Sequence, residues 1–137
     1  MGSTNYHDTF IQVAEDCPVA EARAPTAGRA TPSVAELQHR ILTEQPYELT
    51  SDDLLFHVHL LRQRVPEERI TAERETFFAS SRACLRASPL GKRHGWGLHH
   101  DADGRVALVP LGSEEYHRLA DDPDLRQLKA MRSTRAG

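Results

Sequence analysis

HGWGLHHDADGRVALVP, residues 94–110, decides the fold class. Val106 to Val109 is an aliphatic, partly β-branched run, DADG at 101–104 is a turn sequence, and Gly104 supplies the left-handed position that the turn requires. Together they predict a β-hairpin. A lone hairpin is marginal in water, so a further strand is needed. TFIQVA, residues 9–14, supplies it, ending at the Asp16-Cys17-Pro18 break. Phe10, Ile11 and Val13 do not alternate cleanly with polar residues, which suits a strand covered on both faces.

The remainder is helical. Ser33 and Glu36 form a capping box, and Val34, Leu37 and Ile41 follow at helical spacing, so residues 33–45 make an amphipathic helix ending before Pro46. A second helix starts at Thr50 or Ser51, with Asp52 and Asp53 against the positive end of its dipole and a stripe of Leu54, Val58, Leu61 and Val65. A third begins at Pro66 and buries Ile70, Phe77 and Phe78. Ser113 caps a fourth through Leu119, and Asp122-Pro123 opens a last one with Leu125, Leu128 and Met131 inward and Lys129, Arg132 and Arg135 at its end. The expected architecture is α+β: a small antiparallel sheet, made of the N-terminal strand and the 94–110 hairpin, packed against about five helices. Residues 18–32 hold three prolines and no periodic apolar face, and are read as a flexible loop within a single domain spanning 1–137.

At 137 residues the chain can bury a core without disulfide or metal staples. A net charge of −3 argues against general nucleic-acid binding, for which a strongly basic domain is expected. No run of 18 apolar residues suggests a membrane span. The first ten residues lack the basic start and apolar core of a signal peptide, and the MGSTNY start carries Tyr6 where a myristoylation signal needs Ser or Thr. Two distant cysteines, Cys17 and Cys84, suit reduced thiols and a cytoplasmic location.

Charge is distributed unevenly. Residues 76–100 contain Arg82, Arg86, Lys92, Arg93, His94, His99 and His100 but no carboxylate, whereas the rest of the chain holds all 20 acids. Arg86, Ser88, Lys92 and Arg93 fall within the short segment RASPLGKR, read as a loop. Guanidinium groups recognise carboxylate or phosphate in bidentate fashion, and lysine adds a point charge. The segment lacks the spacing of a phosphate-binding P-loop, and its cations could instead pair with acids such as Glu114 and Glu115. On the strand that follows, Trp96, Leu98 and His100 share one face, with Gly95, Gly97 and His99 on the other. Two glycines on one face imply a close approach, either by a helix or by a ligand. Trp96 is expected to anchor the core.

A metal is not expected. His57 and His59 diverge on a helix, His99 and His100 diverge on a strand, and no ligand spacing of a known metal site is present. Cys84, among cations, is a candidate nucleophile if a base lies nearby. Asn5, Tyr6 and Asp8 could approach the site or serve as caps.

NYHDTFIQVAEDCP near the start and SPLGKRHGWGLHHDADG, with TSDDLLFHVH, SEEY and KAMRS, resemble a family of small bacterial proteins known only as a domain of unknown function. The resemblance spans nearly the whole chain outside residues 18–32. It implies a one-domain cytoplasmic protein and carries no activity, cofactor or site. Tyrosine is more usual in that family where this chain has His94, which speaks against an essential catalytic role there. The favoured expectation is a binding module, without cofactor, for an anionic small molecule or an acidic protein surface, using Arg86, Ser88, Lys92, Arg93, His94, Trp96 and His99. The rival is a small hydrolase or transferase acting on a phosphorylated or carboxylated metabolite, with Cys84 or His99 in the chemistry.

Overall fold

A computed structural model of the chain describes residues 3–26 and 30–134. The expected strands form: β1 (Thr9–Gln12), β2 (Trp96–His100) and β3 (Val106–Pro110). β2 pairs antiparallel with β3 around the 101–104 turn and antiparallel with β1, with Phe10 opposite His99 and Ile11 opposite Leu98. Gly104 takes φ +81°, and the Asp101 carboxylate accepts the amides of Asp103 and Arg105, closing the turn.

Helices α1 (Val34–Glu44), α2 (Ser51–Gln63) and α3 (Ile70–Ala79) lie between β1 and β2 in the chain. The Ser33–Glu36 capping box is present, and the Thr50 hydroxyl accepts the amide of Asp53 to start α2. Asn5 takes the capping role: its side-chain oxygen accepts the Asp52 amide, while the Asp52 carboxylate accepts the amide and hydroxyl of Thr4. Two further short helices are α4 (Pro89–Arg93) and α5 (Glu114–Ala120).

The sheet has two different faces. Ile11, Leu98, Val106 and Leu128 meet Leu37 and Ile41 of α1 and Leu54 and Val58 of α2. Phe10 and Val109 meet Tyr116 and Leu119 of α5 on the opposite side. β1 is therefore covered on both faces, as its lack of alternation implied. Phe10, Ile11 and Leu98 have no exposed surface, and such burial stabilises by about 1.5–3 kcal/mol for each side chain.

Three expectations are corrected. The sheet is mixed rather than wholly antiparallel, and the last helix is absent: Arg126–Lys129 is a strand, β4, parallel to β1 in the order β3-β2-β1-β4. The local signals suited a helix start, but the Asp122 carboxylate accepts the amide of Asp124 in a turn. The backbone then finds better partners across the sheet, where the amides of Arg126 and Ala130 donate to Asp8 and Gln12. Leu128 faces the core and Met131 is half exposed; Arg135 lies outside the described residues. Secondly, RASPLGKR is ordered as a 3-10 turn (Leu85–Ala87) running into α4. Thirdly, Leu61 is 48% exposed, and Phe56 is buried in its place because α2 also packs on Phe77 of α3.

Candidate functional site

Ser88 begins the local geometry. Its hydroxyl donates to Gln38 Oε1 at 2.6 Å and accepts the Leu90 amide, fixing the start of α4 against α1. Proline at the first helical position favours the same turn. Lys92 and Arg93 therefore project from the last turn of α4, with His94 as its C-cap. Across from them stand the first turn of α1 and Arg62 on the last turn of α2. The space between is a cleft of about 560 Å³, closed on another side by Pro25 and Thr26.

The electrostatics of the cleft are unbalanced. Among the described residues the ion pair is Arg74–Asp53, and His59 stands 3.7 Å from Glu73, both elsewhere. Arg62, Lys92 and Arg93 thus have no carboxylate within 4 Å among those residues, and the alternative pairing with Glu114 and Glu115 is not made. Glu36 also lines the cleft, but its carboxylate is turned to the Ser33 amide and hydroxyl. Burial, followed by the neighbouring Arg93 and His39, pushes the His94 imidazole below its ordinary pKa, so it is neutral at pH 7.

The seven residues singled out in the sequence do not share one surface. Lys92, Arg93 and His94 line the cleft, and Ser88 supports it from beneath. Trp96 stands at its side, half-buried, with its indole N–H donating to the Arg23 carbonyl and its ring edge-on to His39. Arg86 points to the other end of the sheet: its Nε donates to the Lys129 carbonyl at 2.7 Å and its own carbonyl accepts the Met131 amide. It closes the open edge of β4. His99 lies on the α5 face, where Nδ1 is 2.8 Å from the Tyr47 hydroxyl. Burial lowers its pKa, opposed by Asp101, Glu115, Asp122 and Asp8.

The glycine face is occupied by protein. A Cβ on Gly97 would stand 2.7 Å from the Phe10 ring and 3.0 Å from Tyr116, and one on Gly95 would meet the backbone of Glu21 and Ala22. Of the two close approaches considered from the sequence, packing by the chain itself is the one realised. Cys84 accepts a hydrogen bond from the Tyr6 hydroxyl at 3.1 Å, and the Tyr6 ring packs edge-on to His100. His100 and His99 point to opposite faces of β2, so Cys84 and His99 do not form a nucleophile–base pair. Arg62 is the cleft cation that sequence reasoning missed. It sits 30 positions before Lys92, and only the packing of α2 on α1 brings it near.

The model of a family described as "Family of unknown function (DUF6157)" matches residues 1–136. The chain belongs to DUF6157. No curated protein and no solved structure matched it. The DUF6157 chain is thus α+β with a four-stranded mixed sheet, and none of its described helices is long and apolar enough to cross a membrane.

Proposed function

We propose that this protein binds an anionic small molecule in the cleft between α1, the end of α2 and α4. The observation that carries this reading is the set of three cations, Arg62, Lys92 and Arg93, turned on one concave space without a carboxylate partner among the described residues. Two guanidinium groups offer planar forks and the ammonium a mobile charge. Neutral His94 adds a group able to donate or accept one hydrogen bond. The amides of Val34 and Ala35, in the first turn of α1, add to the positive potential on the same wall. Concavity favours a small ligand over an acidic protein surface, which would need a broader patch. The free thiols Cys17 and Cys84 support a cytoplasmic setting.

The test is calorimetric titration with inorganic phosphate and pyrophosphate at low salt. Binding that weakens as salt rises is expected, together with about a tenfold loss for each of Arg62→Ala, Lys92→Ala and Arg93→Ala, while unfolding midpoints stay put. Arg86→Ala, whose side chain is turned to the Lys129 carbonyl rather than into the cleft, should leave the affinity alone. Equal binding by the Lys92→Ala/Arg93→Ala double variant and the unsubstituted protein would overturn the reading.

A further inference from the structure

A second hollow, of about 300 Å³, opens beside the cationic cleft. Val34 and Arg62 line both, so the two spaces meet across these side chains. The second hollow is apolar: Leu55 and Val58 of α2, Phe77 of α3 and Ala83 form its walls. Its polar neighbours are largely engaged. Gln38 Oε1 holds the Ser88 hydroxyl, and His59 stands 3.7 Å from Glu73. Arg82 lies over the Phe77 ring at 4.0 Å and donates to the Phe77 carbonyl.

We propose that the two spaces form one bipartite site for a single alkyl chain ending in a phosphate. The phosphate sits among Arg62, Lys92 and Arg93, and the chain passes Val34 to lie against Val58 and Phe77. This deepens the anion-binding reading and rests on it. The head is a phosphate because two guanidinium forks and an ammonium offer more donors than the two oxygens of a carboxylate can take. The ligand is a free molecule rather than a bilayer surface, because the large apolar side chains exposed among the described residues are Leu61 and Met131, with no apolar collar round the opening. Burying the tail drives association, while the head sets orientation.

The test is titration of the unsubstituted protein with inorganic phosphate, then butyl, hexyl and octyl phosphate below their micellar concentrations, with octanoate as the carboxylate counterpart. Affinity should rise about two- to fourfold for each added methylene. Ala83 is exposed, so Ala83→Phe fills the hollow without disturbing the core and should flatten that series while leaving inorganic phosphate unaffected. Lys92→Ala/Arg93→Ala should weaken every phosphate by the same factor. In the unsubstituted protein, methyl resonances of Leu55 and Val58, which line the hollow and not the cleft, should move with octyl phosphate and stay still with inorganic phosphate. Affinity independent of chain length, with phosphate still bound, would overturn the bipartite site and leave the anion cleft standing. Octanoate bound as tightly as octyl phosphate would overturn the phosphate head. Absence of binding throughout the series would overturn both readings.

Discussion

The indole N–H of Trp96 donates to the carbonyl of Arg23 at 2.8 Å, and the Arg23 amide donates to the carbonyl of His94 at the same distance. Residues 21–23 are thereby held against the start of β2, and Pro25 and Thr26, just beyond, form one side of the cleft. Trp96→Phe keeps an aromatic ring, though a smaller one, and removes the donor, at a cost of about 1 kcal/mol. The expected result is faster tryptic cleavage after Arg23 and weaker phosphate binding, with the global unfolding midpoint little changed. Cleavage at the original rate would show that the indole bond does not hold this segment.

Gly97 is a point of close packing in the sheet. Its missing side chain lets the Phe10 ring and Tyr116 close over β2. Gly97→Ala should destabilise the fold by about 1–3 kcal/mol through overpacking, measured by urea denaturation. Gly112 provides the contrast, since a Cβ there meets nothing within 4 Å among the described residues. Gly112→Ala should be penalised only by its φ of +90°, by about 1 kcal/mol.

His100 is buried with Nε2 unpartnered among the described residues, and burial lowers its pKa to about 4 from an ordinary 6.5. Between those values the unfolded chain binds the proton and the folded chain does not, so stability falls as pH drops from 6.5 towards 4. The full loss is roughly 3 kcal/mol. Burial lowers the pKa of His39, His94 and His99 as well, adding to the same slope. His100→Leu should flatten part of the pH dependence of unfolding free energy between pH 7 and 4.5. An unchanged slope would mean that His100 is not the group titrating.

The Tyr6 hydroxyl donates to Cys84, and burial followed by that bond raises the Tyr6 pKa above 10. Tyr6→Phe should remove one late transition from the ultraviolet titration of the three tyrosines and cost about 1 kcal/mol of stability. Cys84→Ala should bring the same transition to lower pH.

What was legible in the sequence was local. The 101–104 turn, the Ser33–Glu36 box and the Thr50 cap are fixed by residues a few positions apart, and each appears as expected. β4 was not legible, because Leu125 and Leu128 suit a helix as well as a strand and the deciding hydrogen bonds come from β1. The cleft was half legible. Lys92 and Arg93 stood out as cations in a segment without acids, whereas Arg62 joins them only through the packing of α2 on α1. Arg86 and His99 resembled their neighbours in composition, but strand geometry and the approach of β4 send them elsewhere.

The position of β1 also governs how the chain can be made. It is synthesised well before its hydrogen-bonding neighbours, residues 98–100 and 126–129. At ordinary translation speed, Phe10 and Ile11 leave the ribosome on the order of ten seconds before their last partner exists. Until then a short, apolar, β-prone segment travels with both edges open, a natural client for a chaperone and the place where misassembly with another nascent copy would start.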